Sequence, residues 1–277
     1  MQIAMIEDKI VPLDELEQHF LDRGIFFGDG VYEVVRSYKG KIFALQEHLD
    51  RFSRSLSEIK ITGVDIDAVR TRICKAFEAA DITDAKIYFH ITRGSALRSH
   101  TWDTNIRHNF FLTVTELTQD IKAKKEGIAV STHPDWRWKR CDIKSLNLLA
   151  NVLACQDAAK MGCEEAILVD EAGFITEGAG STFFAVFGKK LQTTPLTAKV
   201  LPSITRRYVI KAARNIGLEI TEKALTPAQV IESDELFIAV TTKDIVPVVK
   251  FDGNIIGDCK PGKYTKLLIQ EFRKFTG

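Results

Sequence analysis

The sequence predicts an α/β or α+β protein built as two domains, on three observations. Strand-like stretches of alternating β-branched and aromatic residues interleave with amphipathic helical stretches throughout. A polar segment, ELTQDIKAKKEG at residues 116–127, is nearly free of large apolar groups and divides the chain. The 277 residues, 45% of them apolar, suffice for two modest cores. The expected division is residues 1–118 as a smaller N-terminal α/β domain, 119–126 as linker, and 127–277 as a larger C-terminal domain.

Each element has a local reason. GVYEVVRSYKGKIFAL reads as a hairpin turning at Lys39-Gly40. LQEHLDRFSRSLSEIKI places Leu45, Leu49, Phe52, Leu56 and Ile59 at helical spacing, and DIDAVRTRICKAFEAADI does the same with Val69, Ile73, Ala76 and Phe77. AKIYFHITRG and NFFLTVTEL read as strands flanking an irregular loop, SALRSHTWDTNIRH. Beyond the linker, GIAVSTH is a strand, RCDIKSLNLLANVLA leads into a helix, and EAILVDEAGFITEG is a hairpin. STFFAVF and KLQTT are strands, PSITRRYVIKAARNIG a helix, DELFIAVTTKDIVPVVKFDG further strands, and KYTKLLIQEFRKF a closing helix.

Several classes are set aside. Thirty-eight basic against 37 acidic residues give a net charge of +1, without the basic stripe of a nucleic-acid binder. The five cysteines (Cys74, Cys141, Cys155, Cys163, Cys259) include no C-x-x-C pair, so a reducing cytoplasm is expected rather than a disulfide framework. MQIAMIEDKI carries acids and no apolar stretch, so no signal peptide is expected. No apolar run approaches the roughly 20 residues that span a bilayer. The histidines lack zinc-ligand spacing, and no metal is expected.

Lys144 is the residue that asks for an explanation. Most lysines are solvated surface charges, yet this one precedes an apolar run (Leu146, Leu148, Leu149, Val152, Leu153) that predicts a buried helix N-capped by Ser145. A cation there meets the positive end of the helix dipole, and burial acts in the same direction, toward a neutral amine; Asp142 opposes it. A neutral amine attacks carbonyls, and pyridoxal 5′-phosphate (PLP) is the cofactor suited to a Schiff-base lysine. PLP requires an acid for its pyridine nitrogen, for which Glu177 in FITEGAGSTFF stands at a strand end. It also requires an anion site. LPSITRR offers the amides of Ile204 and Thr205 at a helix start, Thr241 ends a strand, and Arg51 in EHLDRF supplies charge.

In this order RGIFFGDGVYEVVR, EHLDRF, IYFHITRG, RCDIKSLNLL, TEG with its small-residue turn, and LPSITRR resemble fold-type IV PLP-dependent enzymes across nearly the whole chain. LRSH, residues 97–100, resembles the D-amino acid aminotransferase branch of that family. The resemblance implies a barrel-like β core in the C-terminal domain, with the cofactor between domains. It implies that Lys144 bonds PLP and later moves the α-proton, that Glu177 holds the pyridine nitrogen, and that Arg51, Ile204, Thr205 and Thr241 hold the phosphate. Leu201 would pack on the ring. Tyr32, Arg98 and His100 would receive the substrate carboxylate, with Glu33 bordering the pocket and with Arg98 and His100 supplied by the neighbouring subunit of a homodimer. The implied reaction is ping-pong transfer between a D-amino acid and a 2-oxo acid such as 2-oxoglutarate or pyruvate, in the cytoplasm.

Gly178-Ala179-Gly180-Ser181-Thr182 and Val240 depart from the family pattern by losing hydroxyls, which bears on cofactor tuning. Branched-chain L-aminotransferases and aminodeoxychorismate lyases share the lysine, acid and arginine, so only Arg98 and His100 separate them from the D-branch. A non-catalytic binding protein with a solvated Lys144 is the rival from another class.

Overall fold

The computed structural model describes residues 2–277. The chain opens with an antiparallel pair, β1 (Ile3–Ile6) and β2 (Lys9–Pro12), and then a short helix α1 (Arg23–Phe27) capped by the Asp22 side chain. Next come β3 (Gly30–Tyr38) and β4 (Lys41–Ile42), joined at Lys39-Gly40. Both turn residues have positive φ, 49° and 78°, the hand that a two-residue hairpin requires. The second hairpin strand is shorter than the sequence suggests, because α2 (Leu45–Glu58) begins there.

Helix α3 (Ile66–Ala80) is N-capped by Asp65, and β5 (Ala85–Thr92) and β6 (Asn109–Glu116) complete a sheet of order β4-β3-β5-β6. Side-chain alternation sends Val31 and Val35 of β3, with Ala85, Ile87, Phe89 and Ile91 of β5, to one face. There they pack with Leu49, Phe52 and Leu56 of α2 and Val69 and Ile73 of α3. The same parity buries Glu33 beneath α2 and turns Tyr32 the other way.

The segment expected as linker is not open chain. It forms helix α4 (Ile121–Glu126), because Asp120 caps it by accepting from the Ala123 amide at 2.9 Å. Lys124 fixes it further by reaching Asp244 Oδ2 at 2.7 Å.

Then follow β7 (Ile128–Pro134), α5 (Leu149–Lys160), β8 (Glu165–Val169), β9 (Ile175–Gly178), β10 (Thr182–Phe187) and β11 (Lys190–Thr193). The chain ends with α6 (Ile204–Asn215), β12 (Glu219–Glu222), α7 (Pro227–Ile231), β13 (Glu235–Val240), β14 (Asp244–Phe251), β15 (Asn254–Ile255) and α8 (Lys263–Thr276). Their sheet runs β12-β11-β10-β13-β14-β7-β8-β9, with β15 beside β14. It is mixed: β11/β12, β14/β7 and β7/β8 are parallel and the remaining pairs antiparallel.

Strand β9 ends the order yet is joined to β10, in its middle, by the short turn 179–181, so the sheet curls into a half-barrel. It is buried on both faces, and its strands are accordingly apolar at successive positions. Phe183, Ala185, Leu236 and Ile238 fill the inside of the curl, while Phe184, Val186, Phe237 and Ala239 meet α6 and α8 outside. Among the described residues, no helix is long and apolar enough to cross a membrane.

Candidate active site

The cavity holding Lys144 lies between the two sheets and encloses about 740 Å³ of empty space, its open mouth included. Tyr32 and Arg51 come to it from the first sheet and α2; Glu177, Thr182, Val240 and Thr241 come from the half-barrel.

Lys144 reaches it by a different route from the one its sequence predicts. Residues 144–146 run extended alongside β3: the Tyr32 amide donates to Lys144 O at 3.0 Å and the Leu146 amide to Gly30 O at 3.0 Å. Gly30 permits this approach, since a Cβ there would lie 2.8 Å from Leu146 Cδ1 and 2.6 Å from Ile91 O. Ser145 therefore caps no helix. Helix α5 starts at Leu149 with Leu148 at its N-cap position, and Lys144 is not at its dipole. Nor is that helix buried in the chain: Leu149 is 72% exposed, Val152 59% and Leu153 45%. The Asp142 carboxylate is engaged by Arg54 and Arg140, away from the lysine. The half-buried Lys144 side chain ends with Nζ 4.2 Å from the centre of the Tyr32 ring.

Glu177 is buried on β9, and Leu201 N donates to both of its oxygens at 3.2 and 3.3 Å. Arg137, which the sequence reading passed over, donates from Nη1 to Glu177 Oε1. The same guanidinium grips Asp135 through Nε and Nη2 at 2.8 Å each. Burial pushes the Glu177 carboxyl up, and Arg137 pulls against that shift. The sequence signal was the acid-base pair Asp135-x-Arg137, but it lies in an irregular loop with no periodicity to mark it.

Arg51 forks onto Glu33, Nε to Oε1 at 2.7 Å and Nη2 to Oε2 at 2.8 Å, and its Nη1 donates to Pro202 O at 3.1 Å. One N–H on each terminal nitrogen is left for a ligand. Burial opposes charge on Glu33, but Arg51 and then His48 outweigh it and lower the carboxyl to about 2. Burial lowers His48 despite Glu33, so its imidazole is neutral and must carry its proton on Nδ1 to donate to Glu33 at 2.8 Å.

Pro202 leads into α6, where Ser203 caps the helix by accepting from Arg206 N at 3.1 Å. The Ile204 and Thr205 amides have no acceptor within the helix, as at any helix start. The Thr205 and Thr241 hydroxyls are 3.4 Å apart, and Arg36 fixes the Thr241 loop by donating to Thr242 O at 3.3 Å and Asp244 Oδ1 at 3.0 Å. Guanidinium, helix start and hydroxyls thus converge on one spot suited to a phosphate.

Arg98 and His100 are not at this cavity. Both are exposed on the loop between β5 and β6, beside Phe27: the Arg98 guanidinium carbon lies 5.1 Å from its ring centre and the His100 ring 5.6 Å. Arg23 holds this loop, donating to Ser99 O at 2.6 Å, Thr101 O at 3.3 Å and His100 O at 3.4 Å.

An amine, a buried acid and an anion cradle around one cavity fit PLP. The Thr182 hydroxyl, buried on its wall without a protein partner, leaves room for a further polar contact.

The model of the amino-transferase class IV family matches residues 30–251. A D-alanine aminotransferase of Bacillus licheniformis is 38% identical over 267 residues, 95% of this chain and 93% of that protein. One from Staphylococcus haemolyticus is 34% identical over 277 residues, 99% and 98% of the two chains. Among solved structures, a branched-chain amino acid aminotransferase from Escherichia coli matches with a TM-score of 0.87 at 25% identity, covering 96% of this chain and 92% of that one. The T.th. branched-chain enzyme complexed with N-(5′-phosphopyridoxyl)-L-glutamate matches with a TM-score of 0.85 at 25% identity, covering 97% and 92%.

Proposed function

The chain belongs to the amino-transferase class IV family, and we propose that it moves the amino group between a D-amino acid, of the D-alanine or D-glutamate type, and a 2-oxo acid such as 2-oxoglutarate or pyruvate. It is a PLP-dependent aminotransferase. The D-preference is the proposed step. It rests on the likeness to D-alanine aminotransferases over nearly the full chain, in a sequence that carries Arg98 and His100.

When bound, PLP supplies a carbonyl for an amine to attack and a ring over which the electron pair left by a departing α-proton spreads. In this reading the protein's own groups do the rest. Lys144 Nζ would hold the cofactor at its carbonyl carbon and, when free, would be the base that takes up and gives back the substrate's α-proton. Glu177, whose carboxyl burial pushes up and Arg137 pulls back toward the charged form, would pair with the protonated pyridine nitrogen. Arg51, the Ile204 and Thr205 amides and the Thr241 hydroxyl hold the phosphate, and Leu201 packs against the ring. Tyr32 and, from a neighbouring subunit, Arg98 and His100 take the substrate carboxylate, Arg98 through two parallel bonds. That clamp sets which substrate face meets Lys144, and hence the handedness. The keto acid leaves before the second 2-oxo acid enters, in ping-pong order.

A homodimer accords with the exposed apolar residues of α5 and with the absence of Arg98 and His100 from the lining of their own chain's Lys144 cavity. Five free cysteines suit the cytoplasm. The likeness to branched-chain enzymes favours a second reading, transfer from branched-chain L-amino acids. Half-reactions separate the two. D-alanine should abolish the visible PLP band and 2-oxoglutarate restore it, whereas loss of the band with L-leucine alone would overturn the D-assignment.

A further inference from the structure

We propose that Thr182 is a cofactor-contacting residue, its hydroxyl donating a hydrogen bond to the phenolic oxygen of bound PLP. Thr182 is the first residue of β10, paired with Ala239 of β13, and its side chain is 3% exposed. Its Oγ1 is buried and has no hydrogen-bond partner in the protein, although it belongs to the wall of the Lys144 cavity. Buried hydroxyls are almost always bonded, so an orphan facing a ligand cavity points to the ligand.

Tyr32, whose hydroxyl is also without a protein partner, is assigned above to the substrate carboxylate, and the polar side chains nearer Thr182 are already engaged. Ser181 Oγ donates to Glu165 Oε2 at 2.8 Å, Asn151 Nδ2 to Ala179 O at 2.7 Å, Cys141 Sγ to Trp138 O at 3.0 Å, and Ser203 Oγ accepts from Arg206 N. Gly178, Ala179, Gly180, Ala239 and Val240 bring no polar side-chain atom to the wall. The turn that lost its hydroxyls at 179 and 180 thus keeps one unengaged, at Thr182.

PLP presents four polar features: ring nitrogen, phosphate, carbonyl and phenolic oxygen. Glu177, the α6 cradle and Lys144 answer the first three, leaving the phenolic oxygen for Thr182. This step rests on PLP being the cofactor. A hydroxyl donor stabilises the anionic form of that oxygen, so losing it makes the oxygen harder to ionise and moves the pH transition of the visible band upward.

The test uses purified holoenzymes of wild type, Thr182→Val, which keeps the shape, and Thr182→Ser, which keeps the hydroxyl. Thr182→Val should raise the pH midpoint of the visible band by about one unit and release PLP about tenfold faster on dilution, with Thr182→Ser close to wild type. A Thr182→Val protein matching wild type in both readouts overturns the assignment. So does a Thr182→Ser protein as impaired as Thr182→Val, which would mean that packing and not the hydroxyl is at work. Wild-type protein that takes up no PLP would instead remove the cofactor reading itself, a result distinct from both.

Discussion

Arg137 and Glu177 form a buried ion pair in which one guanidinium also clasps Asp135. Removing Arg137 strands a charge-bearing acid that burial already disfavours. Arg137→Met should lower stability by about 3–5 kcal/mol in urea unfolding and weaken PLP retention. Adding Glu177→Gln should recover part of that stability, since the two residues are coupled. Strictly additive losses in the double variant would show that the pair does not act as a unit.

Glu33 makes stability depend on acid. Its folded carboxyl, at about 2, lies below the ordinary value of 4.5, so the unfolded chain takes up its proton first as pH falls. The stabilisation, about 3 kcal/mol, is whole above about pH 4.5 and is lost progressively toward about pH 2. His48 adds to the same trend at higher pH, because its lowered folded value makes protonation favour the unfolded chain. Urea unfolding across this range should show Glu33→Gln with a flatter pH dependence than wild type; parallel curves would refute the role given to Glu33.

Much of this was legible in sequence wherever one local signal acted alone. The Lys39-Gly40 turn, the stripes of α2 and α3, and the strands β5 and β6 are periodic or turn-coded, and they form as expected. The local picture that singled out Lys144 was incorrect. Its SLNL run looks helical, but residues 144–146 pair with β3 across Gly30, a tertiary contact that no periodicity encodes. Burial of α5 was misjudged because an apolar run does not by itself tell a core helix from one that lies at the surface of its own chain. Strand β12 and helix α7 were missed, being short and partly polar. Arg137 was missed because ion pairs between loop and strand leave no sequence period.

Arg23 should act on substrate and not on cofactor. Its bonds to the carbonyls of residues 99–101, with Nε on Asp29 at 2.9 Å, hold the loop that carries Arg98 and His100. Arg23→Gln should raise KM for both amino and keto acid about tenfold with little change in kcat, leaving PLP retention at the wild-type rate. An unchanged KM would mean that the loop keeps its shape without Arg23, or that it does not meet the substrate.

The apolar residues of α5 bear on whether the enzyme works as a single chain. Val152 and Leu153 are 59% and 45% exposed on the helix that follows Lys144, while the lysine, Glu177 and the anion cradle all lie within one chain. If this face joins two copies, Val152→Glu with Leu153→Glu should yield monomers in sedimentation that still bind PLP. Those monomers should lose about a hundredfold in turnover if, as proposed, the carboxylate clamp is supplied by the other chain. Wild type that sediments as an active monomer would place Arg98 and His100 outside the reaction, and the substrate's handedness would then have to be set by residues around Tyr32.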